Sequence, residues 1–397
     1  MIFRLGEARF FTALAIICQN YVYLRSDASS ADGAATHAGE TLGGRRTGAN
    51  YVQIMNLRTL CFALCAASTL AVAGCRKPYA EVDGEMLGTF VQISARTSLP
   101  PTEIYERAKR IDAEMKRSMS IFDEGSLLSR INRGETDIAD NHIKFNLELA
   151  GRVNAVSGGA YDVTVKPLVE AYGFAGKDRS RRVNVDSIMR FVGFDKVRVE
   201  GDRLIKADPR VQLDFNSIAK GYTVDLVARM LEEEGVKDYL VDIGGEVSCR
   251  GRNPKGGAWR VGVETPFEGN DIPGSHVQQI ISLTDCALAT SGNYRRCYTD
   301  DEGRKVAHTI DPLTGLSAVT DLLSATVVAP TCAEADAYGT MFMALGKERA
   351  IESARRLESD GIMVYFIAAA PDGGYEVYYS KALGAALKHT GDFFHAI

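Results

Sequence analysis

The chain has 397 residues, of which 46% are hydrophobic and 24% are charged. This composition excludes an intrinsically disordered protein and supplies enough apolar side chains for a large core. The formal net charge of -5 gives no support for a nucleic-acid-binding protein, and no nucleic-acid partner is expected.

The N-terminal part of the chain contains two apolar runs that are expected to lie outside the folded domain. The first falls within residues 1–54, which are interpreted as an upstream mis-start. The alternative is a genuine extension with an unusual leader. Residues 55–74 carry a basic residue near their start, Arg58, and continue as a short apolar run, which is typical of a signal peptide.

The signal peptide is predicted to end in a lipid-attachment site. The quartet at residues 72–75, Val-Ala-Gly-Cys, resembles the bacterial lipobox. Cys75 is therefore expected to carry lipid and to hold the protein on the periplasmic side of a bacterial membrane. Residues 75–81 are expected to form a tether, and residues 82–397 the functional domain.

The hydrophobic periodicity beyond the tether predicts strands and helices in irregular order. Helices are predicted at residues 102–119, 146–156, 183–191, 334–345 and 347–357, and strands at 87–95, 196–200, 203–207, 239–243, 260–264, 278–283, 324–329, 363–369 and 375–379. Because the two types do not alternate as strict βαβ units, the predicted fold class is α+β, with mixed sheets and packed helices. The length is compatible with one domain of two lobes.

Residues 211–234 are the most informative segment. They predict a short strand ending near Asp214 and a helix beginning near Ser217, with Asn216 or Ser217 as the helix cap. Lys220 then lies where the helix dipole is positive, and Gly221 weakens the first turn. A lysine and a glycine at these two positions both suit the binding of an anion such as phosphate at the helix start. The alternative is an ordinary capped helix that tolerates a lysine.

Four other segments carry candidate chemistry. In residues 242–246, Asp-Ile-Gly-Gly-Glu, a strand runs into two glycines, and a carboxylate there would orient a sugar hydroxyl or a metal-bound water. Asp336 and Thr340 are four residues apart on a predicted helix, and two oxygen ligands on one face suit Mg²⁺. The alternative for this pair is a helix cap and a threonine bonded to its own backbone. His308 lies on a polar loop, where it would serve either as a general base or in a structural role. Tyr161 follows a double glycine and offers a face for a planar ligand, unless this is only a turn entering a strand.

The four cysteines beyond the predicted cleavage site show no metal or redox spacing. No CxxC pair occurs among Cys249, Cys286, Cys297 and Cys332. Neither a zinc site nor a redox dithiol is therefore indicated. One or two disulfides and free buried thiols both remain open.

Taken together, the motifs resemble the FAD:protein FMN transferase family, the ApbE-type flavin transferases, over residues 82–395. Eight pieces follow the order found in that family: Leu87-Gly88-Thr89, residues 126–132, residues 161–168, residues 213–222, Gly244-Gly245-Glu246, residues 290–295, residues 308–315 and residues 335–340. Two positions depart from its usual pattern. Leu87 replaces a methionine, and Gly339 stands where some members have an aspartate near the metal.

The resemblance implies an enzyme that binds FAD with Mg²⁺, transfers FMN to a threonine or serine hydroxyl of a partner protein, and releases AMP. It implies an FAD site lined by Leu87, Phe122, Ala160, Tyr161, Asp162, Asp214, Lys220 and Ile310. It also implies Mg²⁺ ligands at Ser217, Asp336 and Thr340, and His308 as the base. The implied acceptors are membrane subunits of sodium-pumping NADH:quinone reductases or Rnf-type complexes.

Three other functions stay open at this point. The same site would act as a Mg²⁺-dependent FAD pyrophosphatase if water replaced the acceptor hydroxyl. A flavin-holding lipoprotein without turnover is the non-catalytic alternative. The third is a penicillin-binding serine hydrolase, because SxxK at residues 217–220 and SxN at 291–293 occur in the required order. Its third motif has histidine in place of lysine.

Overall fold

The computed structural model describes residues 77–174, 184–267, 270, 274–293, 297–300 and 302–397. The predicted mis-start, the signal peptide and Cys75 lie outside the described residues, as do Tyr294 and Arg295 of one motif. The chain divides after Cys75, and the unit from Arg76 to Ile397 is the one considered below.

A nine-stranded sheet forms the centre of this unit, in the order β1-β2-β5-β6-β9-β12-β13-β14-β15. Neighbouring strands are antiparallel except for β14 and β15, which are parallel. The strands are β1 Tyr79–Met86, β2 Thr89–Arg96, β5 Tyr239–Ile243, β6 Glu246–Arg250, β9 Cys286–Gly292, β12 Leu322–Ala329, β13 Met363–Ala369, β14 Tyr375–Tyr379 and β15 Phe394–Ala396.

Three two-stranded ribbons accompany the sheet: β3 Val197–Glu200 with β4 Arg203–Lys206, β7 Trp259–Glu264 with β8 Val277–Leu283, and β10 Cys297–Thr299 with β11 Lys305–Ala307. The helices are α1 Pro101–Met119, α2 Leu127–Asn132, α3 Asn141–Ser157, α4 Lys166–Ala171, α5 Val185–Met189, α6 Ala219–Glu233, α7 Cys332–Leu345 and α8 Lys347–Leu357. Over the described ranges, no helix combines the length and the apolar character that crossing a membrane requires.

The central sheet is covered on both faces. Helices α1 and α6 pack on β1, β2 and β5, and α7 packs on β9 and β12. The opposite face packs against the β7–β8 ribbon through Trp259 and Ile281. Because successive side chains of a strand point to opposite faces, Val327 of β12 joins one core and Val328 joins the other. The α+β fold class predicted from the sequence is confirmed.

Most predicted elements are confirmed, several with the same bounds. The strands at 239–243, 363–369 and 375–379 and the helix at 347–357 match β5, β13, β14 and α8. The predicted strand at 87–95 corresponds to β2, but it is paired with β1 through a turn at Leu87 and Gly88. Leu87 adopts φ 51° there, a conformation that costs a branched side chain free energy.

The predicted strand ending near Asp214 is wrong, because residues 211–215 run extended without joining a sheet. A side chain takes the place of the missing neighbouring strand. Asn132 donates from Nδ2 to the carbonyl oxygen of Leu213 at 2.9 Å, and its Oδ1 accepts from the Leu213 amide at 2.8 Å. The buried backbone is thereby satisfied by an amide 81 residues away.

The predicted cap of the following helix is also wrong. Helix α6 begins at Ala219, its N-cap is Ile218, and no side chain caps it. Asp214 instead accepts the amide of Asn216, and the hydroxyl of Ser217 contacts Tyr161. The first turn of α6 therefore begins without the side-chain oxygen that the sequence pattern suggested.

Gly221 marks the point where α6 crosses the start of α7. A Cβ atom at this position would lie 2.2 Å from the carbonyl oxygen of Cys332 and 2.9 Å from the amide nitrogen of Ala333. Both contacts are with backbone, which cannot rotate away. The glycine is thus required for helix packing, a different reason from the anion approach expected from the sequence.

We expect Gly221→Ala to lower the free energy of unfolding by about 1–3 kcal/mol, because the added methyl group overpacks the helix crossing. The higher helix propensity of alanine, worth about 1 kcal/mol, opposes this loss. Urea denaturation followed by circular dichroism measures the difference. Gly257→Ala is the control, because its nearest neighbour would lie 3.9 Å away. Equal stability of the two variants would refute the packing role.

Candidate active site

The contact between α6 and α7 brings a buried carboxylate to the start of α6. Asp336, in the second turn of α7, is only 5% exposed. Its Oδ2 accepts a hydrogen bond from the Gly221 amide at 3.1 Å. Burial raises the pKa of the Asp336 carboxyl, and the nearby Lys220 ammonium opposes that rise. A helix start and an acidic side chain of a second helix therefore share one site.

Lys220 and Glu246 form an ion pair beside Asp336. Glu246 is the first residue of β6 and is 3% exposed, whereas the Lys220 side chain is 38% exposed. Burial raises the pKa of Glu246 to about 7, although the charge of Lys220 acts in the opposite direction. The second carboxylate oxygen, Oε2, is buried and has no hydrogen-bond partner among the described residues.

The electrostatic balance of this cluster favours an additional cation. Glu246 and Asp336 are both buried, the charge of Asp336 raises the pKa of Glu246, and the charge of Lys220 lowers the pKa of both carboxyls. A buried carboxylate is stable as an anion only when positive charge or hydrogen bonds compensate for lost water. In the part of the chain that the structure describes, no three His, Cys, Asp or Glu side chains form a metal-binding group. A cation here would therefore need hydroxyl, carbonyl, water or phosphate oxygens as well.

Two turns form the neighbouring wall of the site. The hydroxyl of Tyr161 lies 2.8 Å from Oγ of Ser217. Burial raises the pKa of Tyr161, and the charge of Asp336 adds to that rise. The Asp214 amide donates to the carbonyl oxygen of Val163 at 2.8 Å. These contacts hold the approach to α6 against the segment after Ala160.

Asp162 and Asp214 are both buried, and each accepts a hydrogen bond from the amide two residues further along the chain. Asp162 Oδ1 accepts the amide and the hydroxyl of Thr164, at 2.8 and 2.7 Å. Asp214 Oδ1 accepts the Asn216 amide at 2.8 Å. Burial raises the pKa of each carboxyl. The two aspartates therefore fix the turns that carry Tyr161 and Ser217.

The loop after β11 carries His308 and Ile310. His308 packs edge-on against Phe174, with ring centroids 6.2 Å apart. Ile310 is buried in a small cluster with Leu168 and Val192. Further along the loop, a Cβ atom on Gly159 would lie 3.2 Å from Leu313 Cδ2. The loop therefore lies over the turn that precedes Tyr161.

The remaining predicted residues occupy varied positions. Ala160 is buried, Leu87 is half-buried at its hairpin turn, and Phe122 is 73% exposed. Thr340 lies one turn after Asp336 on α7 and is half-buried. The contacts thus bring together Ser217, Tyr161, Lys220 and Asp336, with Ala160, Asp162 and Asp214 supporting them. His308 and Ile310 belong to the adjoining loop.

Gly339 shows why an aspartate has no room at that position. A Cβ atom there would lie 2.8 Å from Oγ and 3.4 Å from Cβ of Ser291. Ser291 of β9 occupies the space that a longer side chain would need. Position 339 therefore contributes no carboxylate to the α7 side of the site.

The sequence singles out residues 242–246 as a segment with candidate chemistry but does not assign Asp242 or Glu246 to the FAD or metal site. Asp242 is buried, its pKa is raised to about 6 by burial, and its Oδ1 accepts the Gly245 amide at 2.8 Å. The available signal was a buried strand that ends in carboxylates on both sides of two glycines. That signal does not reveal that Glu246 turns inward to meet Lys220, because their pairing joins residues 26 positions apart.

Comparison with known proteins identifies the family. The model of the ApbE family matches residues 87–366. A FAD:protein FMN transferase of Vibrio cholerae serotype O1 is 35% identical over 332 residues, covering 80% of this chain and 96% of that protein. One from Haemophilus influenzae is 32% identical over 346 residues, covering 82% of this chain and 96% of that protein.

Solved structures of flavin transferases resemble this chain in fold as well as in sequence. The flavin transferase ApbE from Vibrio cholerae superposes with a TM-score of 0.69 at 31% identity, covering 78% of this chain and 99% of that one. The apo form of the Pseudomonas stutzeri flavinyl transferase ApbE gives a TM-score of 0.70 at 29% identity, covering 80% and 99% of the two chains. The chain therefore belongs to the ApbE family and is an enzyme of the transferase class.

Proposed function

We propose that this protein is a Mg²⁺-dependent FAD:protein FMN transferase that moves FMN from FAD to a threonine or serine hydroxyl of a partner protein and releases AMP. The observation that carries the proposal is the buried cluster of Lys220, Glu246 and Asp336 at the start of α6. A metal ion would supply the additional positive charge that the two buried carboxylates need, and a diphosphate would supply further oxygen ligands for that ion. The names of the relatives support the same activity.

The start of α6 suits the diphosphate of FAD. A helix N-terminus has a positive dipole end that favours an anion, and at α6 it is Asp336 of the neighbouring helix that accepts the first-turn amide of Gly221. Lys220 adds a cation that is only partly buried and can contact a bound phosphate. The flavin would then extend toward Tyr161, Leu87 and Phe122. The adjoining loop with Ile310 would close the other side.

Asp336, Thr340 and Ser217 are the proposed Mg²⁺ ligands. They provide only oxygen atoms, which is the ligand type that Mg²⁺ prefers, and phosphate and water oxygens would complete its shell. Bound Mg²⁺ would act as a Lewis acid that stabilises negative charge on the phosphates. The raised pKa of buried Asp336 fits this role, because a cation beside the carboxylate would offset its lost hydration.

His308 is the proposed general base. It would accept the proton of the acceptor hydroxyl, whose oxygen then attacks the phosphorus of the FMN half of FAD. The phosphoanhydride bond breaks, a phosphate ester of the acceptor forms, and AMP leaves. Such a transfer depends mainly on positioning and electrostatics. The packing of His308 against Phe174 would hold the imidazole in place.

The nearest rival is an FAD pyrophosphatase, in which water takes the place of the acceptor hydroxyl. Incubation with FAD, Mg²⁺ and a candidate acceptor separates the two. Flavin covalently attached to the acceptor, with one AMP per label, supports the transferase. Free FMN and AMP without labelled acceptor would support the pyrophosphatase, and bound FAD with no AMP would support a non-catalytic flavin carrier.

The proposed place of action is the periplasmic side of a bacterial membrane, with a lipid anchor at Cys75. The lipobox-like quartet at residues 72–75 supports the anchor. The proposed acceptors are membrane subunits of sodium-pumping NADH:quinone reductases or Rnf-type complexes. An anchored transferase would meet such an acceptor by diffusion in one membrane plane.

We expect Asp336→Asn to lower Mg²⁺-dependent flavin transfer by about 100-fold or more, since one metal ligand loses its charge. The amide oxygen of asparagine can still accept the Gly221 hydrogen bond. The rate is measured by the fluorescence of flavin attached to the acceptor, over a range of Mg²⁺ concentrations.

Asp225→Asn is the matched control for this variant. Asp225 also binds the start of α7, through the amides of Cys332 and Ala333 at 2.8 and 2.9 Å, but it lies outside the proposed ligand set. It should lower thermal stability without changing the Mg²⁺ dependence. An unchanged rate in Asp336→Asn would contradict the metal assignment.

His308→Ala should slow flavin transfer by about 100-fold or more while FAD binding is retained, because a general base acts on the chemical step. Rapid-mixing kinetics and equilibrium FAD titration separate the two quantities. His276→Ala is the control, since His276 also packs edge-on against a phenylalanine, Phe267 at 4.9 Å. Loss of FAD affinity with an unchanged chemical rate would argue against the base.

Cys75→Ala should abolish incorporation of a labelled fatty acid and should move the protein from the detergent phase to the aqueous phase. The thioether-linked lipid has no other attachment point in the predicted lipobox. Cys61→Ala, within the predicted signal peptide, should leave labelling intact. Incorporation of the labelled fatty acid into the Cys75→Ala variant would refute lipid attachment at Cys75.

A further inference from the structure

Two cysteines face each other across neighbouring strands of the central sheet. Cys249 of β6 is the direct partner of Cys286 of β9 in the antiparallel register. Directly opposed residues in such a pair point to the same face, and their Cβ atoms lie about 4.5–5.5 Å apart. The Cys249 thiol lies 3.5 Å from the Cys286 carbonyl oxygen. Both cysteines are in the thiol form.

This pair stands at the end of the ladder between β6 and β9. The register continues on one side only, through Ser248 with Ala287 and Val247 with Leu288. The residue before Cys286, Asp285, adopts φ 53° and its Oδ1 accepts the Gly251 amide at 2.9 Å. The turn next to the two thiols is therefore held in place, which keeps the two cysteines opposite each other.

Solvent reaches the pair through a cleft on the surface of the sheet. The cleft has a volume of about 470 Å³, and both cysteines contribute to its lining, together with Tyr239, Arg250, Asp285 and Pro330. Cys249 is buried against the core around Trp259, and Cys286 is partly exposed. A reagent entering the cleft would therefore meet Cys286 before Cys249.

We propose that Cys249 and Cys286 are a redox site that closes to a cross-strand disulfide by thiol–disulfide exchange with a disulfide-containing oxidant. The Cys286 thiolate attacks one sulfur of the oxidant, and the oxidant's other sulfur leaves as a thiolate. Cys249 then loses its proton and attacks the Cys286 sulfur, which expels the second oxidant thiolate. Two thiols lose two protons and two electrons, and the oxidant disulfide becomes two thiols.

The order of the two steps follows from the environment of each sulfur. The hydrogen bond with the Cys249 thiol lowers the pKa of Cys286, whereas the same contact and burial raise the pKa of Cys249. The thiolate is the attacking species in such exchange. The more acidic and more exposed Cys286 is therefore the first nucleophile, and Cys249 is the resolving thiol.

The disulfide would join two strands that also carry Glu246 of the proposed site and Ser291, the neighbour of Gly339. Glu246 lies three residues before Cys249 on β6, and Ser291 lies five residues after Cys286 on β9. The closed loop of residues 250–285 includes the β7–β8 ribbon. Closing it constrains the unfolded chain, so the oxidised form should be the more stable one. Disulfide formation does not depend on flavin transfer, so an experiment can refute either proposal while the other stands.

The experiment uses the full-length protein, first reduced with dithiothreitol and then exposed to oxidised glutathione. Remaining thiols are alkylated after denaturation, and peptides are mapped by mass spectrometry. The expected result is one cross-linked peptide pair, Cys249 with Cys286, two hydrogen masses below the reduced pair. The melting temperature should rise by about 5 °C on oxidation and return on reduction.

Cys297→Ser is the matched control and should form the same cross-link, whereas Cys286→Ser should form none. Full alkylation of Cys249 and Cys286 after oxidation of the folded wild-type protein would overturn the proposal. So would a stable glutathione adduct on Cys286 without closure, or a cross-link that appears only in urea. These outcomes are measured on the wild-type chain, so they do not depend on whether a variant folds.

Discussion

The close approach of α6 and α7 at Gly221 is the contact on which the candidate site depends. Because Gly221 has no side chain, the backbone of α6 can lie against Cys332. That approach lets Asp336 accept the Gly221 amide and places its carboxylate beside Lys220. The sheet supplies the third member, since β6 begins with Glu246. A small displacement of either helix would separate charges that are stable only when they are together.

Elements with an uninterrupted apolar run or a clear helical period are predictable from the sequence. Strand β13 is apolar throughout, α8 repeats its buried residues at helical spacing, and the predicted bounds of both match the structure. The proximity of Lys220 and Asp336 could also be inferred, because the resemblance assigns Lys220 to the FAD site and Asp336 to the Mg²⁺ that is bound with FAD. The family resemblance rested on eight short motifs in order, and the match of the ApbE model over residues 87–366 confirms it.

The remaining features depend on contacts between distant parts of the chain. The alternation of Val211, Leu213 and Phe215 is that of a strand, but Asn132 replaces the neighbouring strand and the segment joins no sheet. The cap expected at Asn216 or Ser217 is absent. Asp214 accepts the Asn216 amide, and the Ser217 hydroxyl is hydrogen-bonded to Tyr161. The pairing of Cys249 with Cys286 follows from strand order, which cysteine spacing does not encode.

The contact between Gly339 and Ser291 has an evolutionary consequence. Position 339 can gain an acidic side chain only if position 291 becomes smaller or moves, because the two compete for one volume. Each change alone would be harmful, the first through a steric clash and the second through an empty space. The two positions should therefore covary among homologues, with an acidic residue at 339 accompanied by a smaller residue at 291.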